Sequence, residues 1–73
     1  MDVRVKLVSG RWVKYPWSAD IFDYSLRDTI KVNRWCRNTF GPEEVKWRVT
    51  DICYDFVNYE DAIMFQMAWN ENT

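Results

Sequence analysis

The chain has 73 residues, of which 48% are hydrophobic, 18% aromatic and 29% charged, and its formal net charge is −1 with no histidine. A chain of this length forms one domain, residues 1–73, and buries only about 60% of the surface that it exposes when unfolded. The lack of histidine excludes Ser-His, Cys-His and histidine-ligated metal chemistry, and the low Gly and Pro content argues against disorder.

The N-terminal residues alternate between apolar and polar side chains, which is typical of a half-buried strand. Ser9-Gly10 follows, and then the run 11–15. A two-residue loop containing Gly between two such runs predicts a β-hairpin, and Pro16 ends its second strand because proline lacks a backbone N–H. The expected cross-strand pairs are Leu7 with Trp12 and Arg4 with Tyr15.

Residues 18–24 interleave acidic and apolar side chains without a sustained period, so we expect a connecting segment with room for one helical turn. Acidic and aromatic side chains together suit a segment that imitates an anionic ligand or occupies a basic cleft on a partner. The alternative is an ordinary loop held in place by Ile21 and Phe22.

A helix is predicted over residues 26–40. Ser25 and Asp28 resemble a capping box, and Gly41-Pro42 supplies a stop signal. The face expected to be buried consists of Leu26, Thr29, Ile30, Asn33, Cys36 and Phe40. The opposite, polar face consists of Arg27, Lys31, Arg34 and Asn38. Trp35 lies outside the apolar arc, on the flank with Asp28 and Val32.

The second half of the chain contains two alternating runs of opposite phase, 45–49 and 52–56, which predict either one bent strand or a second hairpin turning at Thr50-Asp51. Asn58 then offers an N-cap for a closing helix over residues 59–69. That helix is apolar on more than one face. Its two stripes are Ala62, Phe65 and Trp69, and Tyr59, Ile63 and Met67.

These elements predict an α+β fold, with an N-terminal hairpin, a helix, a bent strand or second hairpin, and a C-terminal helix. Helices cover one face of a small, mostly antiparallel sheet of three or four strands. No apolar run reaches the roughly 18 residues of a membrane span, and the alternating N-terminus is unlike a signal peptide. We therefore expect a cytoplasmic domain that does not interact with membranes.

Chemistry-bearing residues are sparse. Cys36 and Cys53 are too few for a disulfide framework or a zinc site, and we expect two reduced, partly buried thiols. Two carboxylate pairs could hold a metal or act as acid and base, namely Asp20 with Asp23 and Asp51 with Asp55. The sequence predicts no further catalytic or metal-binding side chain beside either pair. The sequence therefore predicts no enzyme, no catalytic residue, no metal and no cofactor.

Charge is divided unevenly along the chain. Residues 1–48 contain all ten basic residues and six acidic ones, a charge of +4, whereas residues 49–73 contain five acids and no Lys or Arg, a charge of −5. One interpretation is a nucleic-acid-binding ridge on the first helix, formed by Arg27, Lys31, Arg34 and Arg37. The alternatives are a solvated helix face, or complementarity between the two segments inside the fold or across a dimer.

Thirteen aromatic residues exceed what one small core needs. The expected core members are Trp12, Phe40, Trp47, Phe56, Phe65 and Trp69. The expected surface candidates are Tyr15, Trp17, Phe22, Tyr24, Trp35 and Tyr59. Aromatic residues dominate interface hot spots. The sequence therefore predicts a partner-binding surface formed by Trp17, Asp20, Phe22, Asp23, Tyr24 and Trp35, and a self-association surface formed by Tyr59, Ile63 and Met67.

Residues 35–69 carry a pattern that resembles a group of small tailed-bacteriophage proteins: a helix ending in WC and FG, a Trp-bearing strand, and a final D-A-x-x-F-x-x-x-W helix. The matching positions are Trp35-Cys36, Phe40-Gly41-Pro42, Trp47-Arg48, Phe56, Asp61-Ala62, Phe65 and Trp69. The resemblance implies a phage accessory protein of the host cytosol and transfers no catalytic residue.

Three functions follow as expectations. The first is stoichiometric binding that inhibits or modulates a host or defence protein, with the chain as a homodimer. The second is nucleic-acid-binding regulation through the basic helix face. The third is a minor virion component.

Overall fold

The computed structural model of the chain describes residues 2–8, 14–22, 26–50 and 53–70, apart from the side chains of residues 26–28. The elements are β1 (Val3–Leu7), β2 (Trp17–Ile21), α1 (Leu26–Phe40), β3 (Trp47–Thr50), β4 (Cys53–Phe56) and α2 (Tyr59–Trp69). The four strands of these residues form one antiparallel sheet in the order β1-β2-β4-β3. The predicted α+β class is confirmed, with helix packing against the sheet.

The strand registers divide the sheet into two faces, because successive side chains of a strand point to opposite sides. The face that the helices cover, the helix face, carries Val3, Val5, Leu7, Trp17, Ala19, Ile21, Trp47, Val49, Tyr54 and Phe56. The other side, the open face, carries Arg4, Lys6, Ser18, Asp20, Arg48, Thr50, Cys53 and Asp55. Apolar and polar side chains are thus sorted almost completely by strand alternation.

Aromatic rings fill the space between the helix face and the two helices. Phe65 of α2 lies 5.0 Å from the ring of Tyr54 and 5.4 Å from that of Phe56, measured between centroids. Trp35 of α1 contacts Phe65 edge-on at 6.1 Å, so rings bridge the helices. The core confirms the predicted Phe40, Trp47, Phe56 and Phe65, with Trp69 packed at its margin. Trp12 lies outside the described residues.

The predicted partner of the first strand is wrong. β1 pairs with β2, so that Leu7 lies opposite Trp17, and Arg4 lies opposite Asp20 where Tyr15 was expected. The predicted turn at Ser9-Gly10 lies outside the described residues. The run 18–24, expected to be a connecting segment, supplies most of this strand. The acidic Asp20 in this run made the strand alternation hard to recognise in the sequence. In the structure Asp20 lies on the open face.

The predicted inner face of α1 is also wrong in part, although the helix has the predicted bounds. Ile30, expected inside, is 66% exposed, whereas Val32 is fully buried and Trp35 is partly buried against the core. This orientation of α1 removes the indole of Trp35 from water and leaves Ile30 exposed. It is favourable because the free energy gained on burial scales with the apolar area removed from water, and an indole is larger than an isoleucine side chain. Cys36 and Phe40 stay inside, as predicted.

The remaining boundaries follow the sequence closely. β3 and β4 are antiparallel, so the second-hairpin alternative is the one that the structure adopts, while Asp51 and Ile52 lie outside the described residues. Gly41 has φ +95°, a left-handed conformation suited to glycine, and follows the last residue of α1. Asn58 precedes α2 as predicted, but its side chain makes no capping hydrogen bond.

Candidate functional site

The outer side of α2 carries a contiguous apolar surface. Tyr59 and Met64 are about half exposed and Met67 is 77% exposed. A groove of about 460 Å³, here called the α2 groove, is lined by Tyr59, Glu60, Ile63, Met64 and Met67. Its members recur at helical spacing, so they form one strip along the helix.

The groove exists because α2 carries more apolar side chains than one small core takes up. Ala62 and Phe65 are fully buried against the sheet, which occupies one side of the helix. Glu60 and Asp61 in the first turn, and no basic residue in the last, leave the helix acidic. An acidic first turn is favourable beside the positive end of the helix dipole.

Side-chain hydrogen bonds fix α2 along the outer edge of β1. The Gln66 Nε2 amide donates to the carbonyl oxygen of Val3 at 3.0 Å, and the backbone N–H of Val3 donates to Asn70 Oδ1 at 3.3 Å. At the other end of the helix, the rings of Tyr59 and Trp17 lie 4.5 Å apart, and Trp17 is opposite Leu7. Thus α2 runs antiparallel to β1, and Tyr59 is the groove residue at the Leu7 end.

The open face is organised by two carboxylates, of which Asp20 is the first. It pairs with Lys6 at 3.1 Å and accepts hydrogen bonds from Cys53 Sγ at 3.0 Å and Ser18 Oγ at 3.3 Å. Burial by itself raises the pKa of Asp20, but the hydrogen bonds from Cys53 and Lys6 outweigh it and hold that pKa below its usual value. The acid therefore stays ionised inside the sheet.

Asp55 is the second carboxylate and is buried. Arg48 Nε donates to its Oδ2 at 3.0 Å, and Thr50 Oγ1 lies 3.5 Å from the same oxygen. The Arg48 guanidinium also stacks over the ring of Tyr15 at 4.8 Å. Tyr15, expected at the surface, is buried, so that expectation is wrong. Both acids thus have structural partners.

The two thiols are free, as predicted. Burial raises the pKa of Cys36 to about 12, and burial together with the neighbouring Asp20 carboxylate raises that of Cys53 to about 11. A thiol of raised pKa is a weak nucleophile near neutral pH. Across the described residues, no three His, Cys, Asp or Glu side chains are grouped as a metal site requires. Asp23 and Asp51 of the predicted acid pairs are not described.

The basic ridge on α1 is present at the surface for the part that the structure describes. Lys31, Arg34 and Arg37 are exposed and surround the exposed Ile30, while the side chain of Arg27 is not described. Among the described residues these three cations form no ion pair. In the described part of the chain, the ion pair of Arg48 with Asp55 joins the basic segment, residues 1–48, to the acidic segment, residues 49–73.

The four predicted partner-binding residues that the structure describes do not form one surface. Trp17 lies on the helix face, Asp20 on the open face, and Trp35 among the core rings. Phe22, just after β2, is 57% exposed, and the Arg4 guanidinium stacks over its ring at 4.6 Å. Asp23 and Tyr24 lie outside the described residues.

The predicted self-association residues, by contrast, are brought together, because Tyr59, Ile63 and Met67 all line the α2 groove. Met64 and Glu60 were missed. On the helical wheel Met64 lies next to Glu60, on the far side of the Tyr59, Ile63 and Met67 stripe from the buried Ala62 and Phe65.

Comparison with protein-family models, with curated proteins and with solved structures finds no match to this chain. Neither helix in the described part of the chain has the length and hydrophobicity that crossing a bilayer requires.

Proposed function

We propose that the protein acts by binding another protein in fixed stoichiometry, without catalysis, and that the α2 groove is the surface it uses. The observation that carries this proposal is the exposure of Tyr59, Met64 and Met67 on one strip of a helix whose other side already fills the core. Aromatic and Met side chains are enriched at interface centres, and contiguous apolar surface on a small domain marks an interaction site.

The α2 groove offers apolar area to a partner. Fully burying an exposed Met or comparable side chain contributes about 1.5–3 kcal/mol. Tyr59 and Met64 are already about half buried, so each contributes part of that figure against the entropy lost on association. Met also adapts its shape to a partner, since it is unbranched and flexible.

The resemblance of residues 35–69 to small tailed-bacteriophage proteins supports a role as an accessory protein in the host cytosol. In that role the chain inhibits or modulates a host or defence protein by occupying one of its surfaces. Homodimerisation through Tyr59, Ile63 and Met67 would use the same groove, so a second copy and a foreign partner compete for it.

The test compares two exposed apolar positions. Met67→Lys places a charge in the groove, and Ile30→Lys places one at the similarly exposed site on α1. Affinity capture from host lysate is expected to recover a stoichiometric partner with the wild-type chain and with Ile30→Lys, and to lose it with Met67→Lys. Recovery that is equal with both variants, or no stoichiometric partner with the wild type, would contradict the proposal.

Nucleic-acid binding is the second candidate, and it is favoured by the exposed cations Lys31, Arg34 and Arg37, which make no ion pair among the described residues. Such binding weakens steeply as salt rises. Arg34→Ala is expected to weaken a probe shift seen at low salt, and unchanged probe mobility with the wild-type chain at low salt would exclude this function. Nothing in the described residues favours the minor virion component, which stays a prediction.

A further inference from the structure

We infer that the outer edge of β1 and the α2 groove together bind an extended strand of the partner protein, one that alternates apolar with acidic side chains. This inference rests on the proposed protein-binding function and names the form of the partner. The partner strand would extend the sheet beyond β1, with its apolar side chains against α2 and its acidic side chains on the open face.

The backbone of β1 supplies hydrogen-bonding groups for such a strand. Phe22 N–H donates to the Asp2 carbonyl at 3.0 Å and Val8 N–H donates to the Pro16 carbonyl at 2.7 Å, so the even-numbered residues of this segment are bonded to β2. In an antiparallel pair the intervening residues direct their N–H and C=O groups away from the partner strand. Those of Val3, Val5 and Leu7 therefore point outward.

One end of this edge is already occupied. The side chains of Gln66 and Asn70 satisfy the outward carbonyl and N–H of Val3. Within the described chain, the outward groups of Val5 and Leu7 have no hydrogen-bond partner. The open stretch is the end nearest Tyr59, where Leu7 is 58% exposed. An added strand would thus form up to four backbone hydrogen bonds, two at each residue, beside the α2 groove.

The side chains beside this edge define the chemistry of the strand. Residues opposite Val5 and Leu7 would face α2, where Tyr59 and Ile63 share the side of the helix that carries Gln66 and Asn70 toward β1. A residue opposite Lys6 would lie on the open face, beside a lysine that pairs with Asp20 at 3.1 Å and whose side chain is still 61% exposed. Opposite charges across a strand pair are stabilising, so an acidic residue there would share the Lys6 ammonium with Asp20.

The same geometry disfavours a second copy as the occupant. If two β1 strands paired antiparallel using both open residues, Val5 of each copy would lie opposite Leu7 of the other. Lys6 would then face its own counterpart at the centre, and like charges directly opposite are destabilising. Lysine on an edge strand is a common device against such self-pairing.

The experiment follows amide hydrogen exchange by NMR in the full chain, with a blocked synthetic hexapeptide of alternating Glu and Val as the probe. At about ten times its dissociation constant the probe is expected to slow exchange at Val5 and Leu7 about tenfold. Val49 is the internal control, because its amide points outward from β3 at the opposite sheet edge and its exchange is expected to stay unchanged.

Two matched probes separate the parts of the inference. A peptide with Lys in place of Glu tests the charge, and one that is N-methylated at alternate residues lacks the N–H groups that pair with β1. Both are expected to protect Val5 and Leu7 at least several-fold less. Leu7→Pro removes an outward donor and is expected to abolish protection, with Val49→Pro as the edge-proline control. If either proline variant fails to fold, the peptide series decides alone.

Unchanged exchange at Val5 and Leu7 with the acidic probe would overturn the inference. So would equal protection by the Lys peptide, or protection that rises with the concentration of the chain alone, which would identify a second copy. If capture through the α2 groove succeeds while these two amides stay unprotected, the inference fails and the proposed function stands. Failure of the wild-type chain to capture a stoichiometric partner would instead refute the function itself.

Discussion

The helix face of the sheet is packed with aromatic rings that exclude water, whereas the open face is organised around Asp20 and Asp55 and their hydrogen-bonding partners. The first gains stability from burial of apolar area, and the second from ion pairs and hydrogen bonds whose net contribution is smaller. On both faces most side chains pack against, or hydrogen-bond to, one another. The apolar side chains and backbone groups that remain available to a partner lie where the two faces meet, along β1 and α2.

The largest effect is expected at the centre of the helix face. Phe65→Ala leaves a cavity among Tyr54, Phe56 and Trp35 and is expected to destabilise the fold by about 3–5 kcal/mol, a large part of the total for a domain of this size. Urea unfolding followed by circular dichroism measures the loss. Met67→Ala, on the same helix but exposed, is expected to stay within about 0.5 kcal/mol. Equal losses would mean that the two sides of α2 do not differ as described.

A smaller loss is expected on the open face. Asp55→Ala removes the acceptor of Arg48 and Thr50 and is expected to cost about 1–2 kcal/mol, because hydrogen bonds to a charged group exceed neutral ones. The control is Asp2→Ala, which removes the exposed ion pair with Arg4 and is expected to cost less than about 0.5 kcal/mol. A loss at Asp55 as large as that at Phe65 would contradict the claim that the helix face contributes more to the free energy of unfolding than the open face does.

The pH dependence sharpens the electrostatic side of the comparison. Because the folded-state pKa of Asp20 is lowered, its contribution to stability is present above its unfolded pKa, near 3.9, and is lost as pH falls through the lower folded value. Free energies of unfolding measured between pH 7 and pH 3 are expected to fall less steeply for Asp20→Asn than for the wild type. Identical slopes would show that Asp20 does not contribute in this way.

The sequence predicted the helices better than the sheet. The bounds of α1 and α2 are those predicted, although the Asn58 side chain makes no capping hydrogen bond, and α2 retains both predicted apolar stripes. The strand after Pro16 was missed, because an acid such as Asp20 is typical of a loop when its partners are not known. In the fold, Asp20 pairs with Lys6, Ser18 and Cys53. The orientation of α1 depends on whether Trp35 or Ile30 packs better against rings that are distant in sequence, which the periodicity of one helix does not encode.

For the candidate site too, the part on a helix was predicted from the sequence and the part on the sheet was not. Tyr59, Ile63 and Met67 were expected to form a surface because they are spaced along one helix. The contribution of β1 was not predicted, because the outward direction of its Val5 and Leu7 backbone groups depends on pairing with the missed strand.

The most direct test of the α2 groove as the proposed binding surface is site-specific photo-crosslinking in the lysate used for affinity capture. p-Benzoylphenylalanine in place of Met64 is predicted to yield one predominant adduct between this chain and a partner polypeptide. The same probe in place of Ile30, on the basic ridge of α1, is predicted to yield none. A predominant adduct from position 30, with none from position 64, would contradict the account.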